Sequence, residues 1–489
     1  MSSEKFKYYD HLGFHNPYYI KHDNGRFSYD FNGFRLTQNI KRKFDYLAFS
    51  ENLSYGYCLG DRTLIQGLNR TPWMAKPNTQ NNAWEFKKNV QHQEKVFAQE
   101  EVANKFYQLL EKELLDYIAP FKNIGILLTG GMDSRIVAAV LKNLFSKGLV
   151  ENKRIKAFTW GLSDSRDVVY ANRIADLYGW EFCHLINDEE QMHKNIEICI
   201  QNGCEFHPVH LHAMSQLNDQ KDIDCYIAGS FGDSIGRAEF SGRHVLSLPA
   251  LREKFQNNNG IFYDNIIKKL SEELSIDFHY YRNNFKQEKD YQNNEVDQQA
   301  HYMRRMLNPC MATINENIPL FQMFSKPDTF LYMWSIHPTL RNDENYFIIL
   351  KKYAPELLEI PWARTGLLYL AKNGTPDTFK KNHHEYGKLI RTQFLEQYIL
   401  PMVKENREIA DKIINTKAFI KLCNNVKKYP LNHQYLIEAR LLYVACVIDM
   451  IIRYNIEIDL PLKPKTSFIN TFKNDLEYKF KFIAKKIMK

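Results

Sequence analysis

The chain has 489 residues, of which 44% are hydrophobic and 14% are aromatic, and its formal net charge is +8. This composition excludes a disordered chain, and the length is sufficient for two or three domains with sizeable cores. The eight cysteines form no Cys-x-x-Cys pair, residues 1–20 do not resemble a signal peptide, and the apolar run 441–452 is too short to cross a bilayer. We therefore predict a cytoplasmic protein. The modest charge, without a clearly basic RNA-binding domain, also predicts no nucleic-acid partner.

The first element with a clear pattern is the apolar run of residues 124–128, which is typical of a buried parallel strand. The run stops at Thr129-Gly130-Gly131, and apolar residues at helical spacing follow over residues 136–144. A strand that ends on paired glycines and continues as a helix exposes backbone N–H groups at the helix N-terminus. The sequence therefore predicts an anion site at this turn.

The residue types around this turn suit a phosphate chain. Gly130 and Gly131 let phosphate oxygens approach the main chain, and the hydroxyls of Thr129 and Ser134 add donors. Asp133 can hold a magnesium ion against the phosphates. A tight structural turn is the alternative interpretation of the two glycines, whose spacing is neither that of a kinase-type phosphate loop nor that of a dinucleotide fold.

Strands and helices alternate after this turn. In chain order, the patterns predict a strand at 154–160, a helix at 167–177 that ends near Gly179, a strand at 181–185, a helix at 190–202 and a strand at 224–229. Such alternation predicts an α/β fold with a parallel twisted sheet, helices on both faces and ligands at the carboxyl ends of the strands. Gly232-Asp233 follows the last strand as Gly130-Gly131 follows the first. The two loops are therefore predicted to present Asp133 and Asp233 to one metal–triphosphate complex.

Residues 129–134, Thr-Gly-Gly-Met-Asp-Ser, resemble the Ser-Gly-Gly-x-Asp-Ser pyrophosphate loop of ATP pyrophosphatases that adenylate their substrates. Within that superfamily, the chain resembles the synthetase domain of asparagine synthetase. The narrower resemblance is carried by residues 167–179, 228–234 and 316–321, and by 60–68, which resemble the end of the family's glutamine amidotransferase domain. The resemblance implies an adenine nucleotide α-hydrolase-like sheet.

The resemblance also implies a division of the chain. Residues 1–95 are predicted to form a truncated amidotransferase-like, β-rich region, residues 96–370 the ATP-pyrophosphatase synthetase domain, and residues 371–489 a helical extension with a basic tail. Class II amidotransferases have a nucleophilic cysteine at the mature N-terminus, whereas this chain begins with Met1 and its first cysteine is Cys58. We therefore expect no intrinsic glutaminase. The nitrogen donor is then expected to be free ammonia, an amine substrate, or ammonia from a separate glutaminase.

The chemistry that the resemblance implies uses ATP and Mg²⁺ as cofactors. The residues implied to bind ATP are Thr129, Gly130, Gly131, Asp133, Ser134, Thr159, Gly161 and Gly232. A substrate carboxylate attacks the α-phosphorus, giving an acyl-adenylate and pyrophosphate, and Mg²⁺ on Asp133 and Asp233 neutralises the departing pyrophosphate. An amine then attacks the activated acyl group, and Glu316 is the candidate base that accepts its proton. A surface carboxylate before a proline turn is the alternative interpretation of Glu316.

The chain departs from the family pattern in two further places. Ser230 and Ser234 replace glutamates of the second loop, which leaves Asp233 as its only carboxylate. The family's Lys-x-x-Leu-Arg lysine has no clear equivalent, and Arg341, at the end of Pro-Thr-Leu-Arg, is predicted to supply its charge to the pyrophosphate. A solvated arginine at a helix end is the alternative interpretation of Arg341.

Histidines and basic residues form two other conspicuous groups. His207, His210 and His212 complete no recognised zinc pattern, and one of them is instead predicted to line the substrate site. Lysines with phenylalanines between them are concentrated in residues 461–489. We interpret this tail as a solvated terminal helix, and the alternative is contact with an anionic membrane surface or an anionic substrate.

The sequence thus predicts an ATP-dependent amide-forming ligase that acts on a small-molecule, peptide or sugar carboxylate. Surface-glycan and peptide natural-product biosynthesis are the settings that we consider for it. Two alternatives are a tRNA-modifying ATP pyrophosphatase and a catalytically inactive asparagine synthase-like scaffold. The presence of Asp133, Ser134, Asp233 and Glu316 argues against the inactive scaffold.

Overall fold

The structure is a computed structural model that describes residues 16–78, 80–87, 92–257, 259–431, 435–465, 476–480 and 482–484. The first fifteen residues and most of the predicted basic tail lie outside the described residues. The strands are β1 Tyr18–Lys21, β2 Phe27–Asp30, β3 Asn69–Arg70, β4 Ala75–Asn78, β5 Ala83–Phe86, β6 Asn123–Leu127, β7 Arg154–Trp160, β8 Glu181–Leu185, β9 Cys225–Ala228, β10 Glu239–Phe240, β11 Arg243–His244 and β12 Leu320–Gln322.

The helices fall into a first group up to residue 236 and a second group after it. The first group is α1 Gly33–Leu36, α2 Tyr46–Tyr55, α3 Gln99–Ile118, α4 Met132–Ser146, α5 Arg166–Leu177, α6 Glu189–Gln201 and α7 Gly232–Gly236. The second group is α8 Asp264–Lys269, α9 Ser271–Asn284, α10 Asp290–Asp297, α11 Asn308–Asn315, α12 Pro327–Ser335, α13 Asp343–Tyr353, α14 Tyr386–Leu389, α15 Leu400–Glu405, α16 Arg407–Ile413, α17 Thr416–Lys428 and α18 Tyr435–Arg453. Two π-helical stretches, Gln298–Leu307 and Ile390–Ile399, continue α10 and α14.

A five-stranded parallel sheet in the order β12-β9-β6-β7-β8 forms the centre of the molecule. The predicted parallel sheet with helices on both faces is therefore confirmed. Strands β7 and β8 have the predicted bounds, and β6 and β9 differ from the prediction by a residue at their ends. The sequence did not indicate β12, which pairs with β9 through Leu320 and Tyr226.

Alternate side chains of the sheet enter two separate apolar cores. Ile124, Ile126 and Leu128 lie in the core formed with α3, α4 and α13. Leu127 lies on the other face, in the core formed with α6, α11 and α18. Because both faces of the sheet are covered, β6 and β9 are buried. The two strands also pair directly with each other. The loops that follow these two strands are consequently neighbours.

Both terminal regions pack on the α6 face of the sheet. Strands β1 to β3 form a small antiparallel sheet, and β4 pairs with β5. Buried residues between Tyr18 and Leu68, and others between Tyr386 and Ile456, belong to the same core as Leu127. The N-terminal region thus contains small antiparallel strands and the C-terminal region is helical, whereas the likeness to an amidotransferase and the three-domain division stay predictions.

Among the described helices, none combines the length and the apolar character needed to cross a bilayer. All eight cysteines are free thiols within the described residues. They are buried except for Cys183, which is half-buried.

Glu113 on α3 makes the stability of this fold depend on pH. Its buried carboxylate accepts hydrogen bonds from the Lys326 N–H (3.0 Å) and from the Thr329 hydroxyl (2.7 Å). Burial raises the pKa of Glu113 from 4.5 to about 7, so the folded protein keeps a proton that the unfolded chain has released. The free energy of unfolding therefore falls as pH rises through this window, by about 1.4 kcal/mol per pH unit from this group.

Glu113→Gln is expected to remove that part of the pH dependence. Urea unfolding of the wild type and the variant between about pH 5 and pH 8 measures it. Equal slopes for the two proteins would contradict the assignment.

Candidate functional site

The glycine loop, residues 128–131, joins β6 to the N-terminus of α4. Gly131 is the N-cap residue of α4 and no side chain caps the helix there. The Thr129 hydroxyl accepts a hydrogen bond from the Gly131 N–H (3.1 Å), and the Ser134 hydroxyl donates to the Thr129 carbonyl oxygen (3.0 Å). Both hydroxyls thus hold the loop in shape. The first-turn N–H groups of α4 have no side-chain cap to compete with an anion.

The two glycines have different surroundings. A Cβ on Gly130 would lie 2.8 Å from the Ala363 Cβ and 2.9 Å from the Arg166 carbonyl oxygen. A Cβ on Gly131 would lie near the Thr129 hydroxyl alone, at 3.1 Å. Gly130 therefore permits close packing of the main chain, whereas Gly131 faces open space where a phosphate can approach.

Gly130→Ala and Gly131→Ala form a matched pair of tests for this difference. Gly130→Ala is expected to lower the free energy of unfolding by about 1–3 kcal/mol, because backbone atoms must move. Gly131→Ala is expected to lower the free energy of unfolding by less than about 1 kcal/mol, since alanine is a poorer N-cap than glycine, and to weaken the binding of inorganic pyrophosphate by about tenfold or more. Urea unfolding and titration calorimetry measure the two effects. Equal stability losses, or unchanged pyrophosphate binding in Gly131→Ala, would contradict this account.

The covering segment, residues 361–384, is irregular and lies over the glycine loop. The fully buried Arg135 donates to the carbonyl oxygens of Leu357 (3.0 Å), Ile360 (2.6 Å) and Gly130 (3.1 Å). The Ala363 N–H donates to the Gly130 carbonyl oxygen at 3.2 Å. Glycine loop and covering segment are consequently fixed to each other.

The second loop, residues 229–233, follows β9 and touches the first turn of α4. A Cβ on Gly232 would lie 2.8 Å from both the Cβ and the Oδ1 of Asp133. A Cβ on Gly229 would lie 2.9 Å from the Asp133 carbonyl oxygen. The second loop therefore packs tightly against Asp133 at the start of α4, and Asp133 and Asp233 line one cleft.

This cleft has a volume of about 320 Å³. Its walls come from Gly131–Asp133, from Asp167, from Asp233 and Arg237, from Trp362–Arg364 and from Lys381–His384. The predicted site residues Gly131, Asp133 and Asp233 are thus brought together. Five of the lining side chains are basic or can become so: Arg237, Arg364, Lys381, His383 and His384.

Electrostatic repulsion between Asp133 and Asp233 characterises the cleft. Asp133 Oδ1 accepts a hydrogen bond from the Tyr346 hydroxyl at 2.9 Å and lies 3.3 Å from Arg237 Nη2. Burial raises the pKa of Asp133. Burial and the negative charge of Asp133 raise the pKa of Asp233 to about 7. A cation that binds both carboxylates would relieve this repulsion.

His383 and Asp167 form an imidazole–carboxylate pair in the same cleft. His383 Nδ1 lies 3.9 Å from Asp167 Oδ2, and the Asp167 carboxylate also accepts the Gly130 N–H. Burial lowers the pKa of His383, and the charge of Asp167 opposes that shift. The His383 backbone is held by the Leu162 N–H, which donates to its carbonyl oxygen at 2.8 Å.

Two predicted site residues, Thr159 and Gly161, lie at the carboxyl end of β7, beside the cleft. Thr159 is fully buried, and its hydroxyl has no hydrogen-bond partner among the described residues. A Cβ on Gly161 would lie 2.4 Å from the His383 carbonyl oxygen. Gly161 thus permits contact between β7 and the covering segment.

Glu316 lies at the opposite edge of the sheet from Asp133. It precedes β12, whose carboxyl end, like that of β9, points to the cleft edge. It lines a separate cavity of about 490 Å³ with Arg70 and Glu205. Burial raises its pKa. The structure therefore does not bring Glu316 to the predicted reacting group.

Arg341 is also absent from the cleft. It is fully buried, and both of its terminal nitrogens lie 2.7 Å from the Glu295 carboxylate. A guanidinium that is paired in this way is not available to a phosphate. The expectation that Arg341 replaces the family's lysine is corrected accordingly. Arg364 and Lys381 line the cleft instead.

None of the three histidines at 207–212 lines the cleft. His207 Nε2 lies 2.9 Å from Asn52 Oδ1, and His212 Nδ1 lies 2.8 Å from the Tyr386 hydroxyl. The ring of His212 is 5.8 Å from that of His383. Of the three, His212 thus packs beside the covering segment, whereas His207 contacts Asn52 on α2.

Residues 105–317 match the family model described as asparagine synthase. This segment is therefore similar to asparagine synthase domains. The match includes Asp133, Asp167 and Asp233 and ends before the covering segment.

No curated protein matches the chain. Among solved structures, it is similar to the U34-tRNA thiolase NcsA from Methanococcus maripaludis with its 4Fe–4S cluster, at 12% identity over 71% of this chain and 80% of that chain. The TM-score is 0.24, which is too low to support a statement about activity.

Proposed function

We propose that the protein is an ATP-dependent amide-forming ligase that activates a carboxylate as an acyl-adenylate and releases pyrophosphate. The observation that carries the proposal is the contact between the second loop and the first turn of α4, which directly follows the glycine loop. This contact places the uncapped N-terminus of α4, Asp133 and Asp233 in one cleft. The asparagine synthase match over residues 105–317 supports the same assignment.

The cleft suits Mg²⁺ together with a phosphate chain. Within the described residues, no group of three or more His, Cys, Asp or Glu side chains is arranged to hold a metal ion. Mg²⁺ usually takes one or two protein carboxylates and completes its coordination with phosphate oxygens and water. Asp133 and Asp233 are carboxylates of this kind. Bound there, Mg²⁺ would neutralise charge on the pyrophosphate as it leaves.

The protein's own groups supply the rest of the phosphate site. The first-turn N–H groups of α4 contact the pyrophosphate oxygens, and Gly131, which has no side chain, leaves room for those oxygens to approach. Lys381 adds positive charge at the cleft wall, in place of the lysine that the sequence did not reveal. Adenine lies toward the end of β7, next to Gly161. Most of the catalytic effect is then electrostatic, because these groups are already in position before the bond breaks.

The acceptor of the amine proton is assigned to His383 rather than to Glu316. The His383 imidazole lines the cleft, whereas Glu316 lies at the other edge of the sheet. Because burial lowers the pKa of His383, its imidazole is neutral near pH 7 and can accept a proton. Asp167 orients the ring and stabilises the imidazolium that forms.

The substrates are proposed by chemical class. The acid is a small-molecule, peptide or sugar carboxylate, such as an amino acid or a uronic acid. The nitrogen donor is free ammonia, an amine, or ammonia from a separate glutaminase.

An ATP–pyrophosphate exchange screen tests the proposal. Purified protein is incubated with ATP, Mg²⁺, labelled pyrophosphate and a panel of amino acids, short peptides and uronic acids, with and without tRNA. We expect exchange with at least one carboxylic acid in the absence of tRNA. Exchange only with tRNA would favour an RNA-modifying enzyme, and no exchange under any condition would favour an inactive scaffold.

A further inference from the structure

The guanidinium of Arg237 lies at the meeting point of three carboxylates. Its Nη1 is 2.9 Å from Asp343 Oδ1 and 3.4 Å from Glu239 Oε2, and its Nη2 is 3.3 Å from both oxygens of Asp133. The Arg237 side chain is 2% exposed. A cation at this point thus contacts carboxylates from α4, from β10 and from α13.

Aromatic rings fix this guanidinium in place. It lies 5.2 Å from the centre of the Tyr346 ring and 5.9 Å from that of Trp362. The Tyr346 hydroxyl and the Tyr369 hydroxyl donate to Asp133 and to Asp343, so two of the three carboxylates are held as well. Arg237 is therefore a permanent part of the cleft and not a mobile surface cation.

Arg237 pairs with neither Asp233 nor Asp167 of the cleft, and Asp167 lies beside His383 instead. Within the described part of the chain, no basic side chain lies within ion-pair distance of Asp233. Its Oδ1 accepts the Ser234 N–H at 2.8 Å. Arg364 does not change this balance, because it pairs with Glu239 at 3.0 Å. Arg237 and Arg364 compensate two of the three negative charges of Asp133, Glu239 and Asp343, and the Asp233 side is left for an added cation.

Carboxylates that converge from different elements are the donor set of a hard divalent cation, and phosphate-transferring sites often hold two such cations a few ångströms apart. We infer that Arg237 occupies the second of these positions, so that the cleft binds a single divalent cation, on Asp233 and Asp133, together with pyrophosphate. This inference refines the proposed function, since it names the number of cations and the residue that replaces one of them.

Mn²⁺ binding to the full chain in the presence of inorganic pyrophosphate tests the inference without any need for the organic substrates. Electron paramagnetic resonance counts the bound ions. The wild type is expected to bind one Mn²⁺ per chain, and Arg237→Met two. Arg237→Lys keeps the charge and is expected to bind one. Asp233→Asn is expected to lower the Mn²⁺ affinity by about 100-fold.

Circular dichroism establishes that each variant is folded. Should Arg237→Met fail to fold, the wild-type stoichiometry and Asp233→Asn still decide the question. Two ions in the wild type, one ion in folded Arg237→Met, or full affinity in Asp233→Asn would overturn the inference. A protein that binds one Mn²⁺ but shows no exchange with any acid would refute the proposed function and leave this inference standing.

Discussion

Asp133→Asn is expected to abolish ATP–pyrophosphate exchange. The variant loses the carboxylate that faces Asp233 across the cleft and that supplies half of the proposed cation site. Removal of one preorganised electrostatic contact of this kind costs roughly 3–4 kcal/mol, so the exchange rate should fall by about 100-fold to 1000-fold. Folding should be retained, because Arg237 still pairs with Asp343 and Glu239.

Asp116→Asn is the matched control for this experiment. Asp116 is an exposed aspartate on α3, the helix that packs against α4. The control should keep wild-type exchange, and both variants should melt within a few degrees of the wild type. Full exchange in a folded Asp133→Asn protein would remove Asp133 from the reaction.

His383→Asn is expected to separate the two chemical steps. ATP–pyrophosphate exchange, which needs no base, should stay within a few-fold of the wild type. Formation of the amide with ammonium chloride should fall by about 100-fold to 10000-fold, the usual contribution of a general base. Product analysis by mass spectrometry, beside the exchange assay, measures both steps.

The pH dependence distinguishes a base from a structural histidine. In the wild type, amide formation should be lost as pH falls through the pKa of His383, which burial places below its ordinary value. That acidic limb should vanish in His383→Asn, and added imidazole should restore part of the rate to His383→Ala. His193→Asn, an exposed histidine on α6, should behave as the wild type. Loss of exchange in His383→Asn, or an unchanged pH profile, would reassign His383 to binding.

The sequence predicts the sheet well where each strand has its own pattern. Strands β7 and β8 have the predicted bounds, since apolar residues stop sharply at Gly161 and at the polar start of α6. Strand β12 has three residues and follows Pro319, so no local periodicity marks it. It exists because Leu320 to Gln322 find a partner in β9, and strand pairing of that kind is a property of the whole fold.

The candidate site, like the sheet, is predicted from the sequence only where a local pattern marks it. Asp133 and Asp233 are predictable because each follows a strand that ends on glycine. Their contact depends on the direct pairing of β6 with β9, which the sequence does not reveal. Arg341 and Glu316 have side chains that suit their predicted roles, but the residue type does not determine where a residue lies in the fold. Arg341 is held away from the cleft by its ion pair with Glu295. Glu316 lies away from the cleft because it precedes the amino end of β12.

The residues that the sequence did not identify come from segments without a repeating pattern. Arg237 lies one helical turn after Asp233. This spacing is the sequence signal that indicates Arg237 as a neighbour of the cleft. Lys381 and His383 are about 250 residues from Asp133 along the chain and belong to an irregular segment. Their position depends on Arg135 and Arg166, which bind backbone and side-chain oxygens of residues 357–377.

Transfer of oxygen-18 from a labelled acid to AMP tests the central claim most directly. The acid that supports exchange is prepared with oxygen-18 in its carboxylate and is incubated with the protein, ATP, Mg²⁺ and ammonium chloride. If the carboxylate attacks the α-phosphorus, the AMP that is released gains one labelled oxygen atom. Label in inorganic phosphate, with ADP as the nucleotide product, would show attack at the γ-phosphorus and would contradict the account.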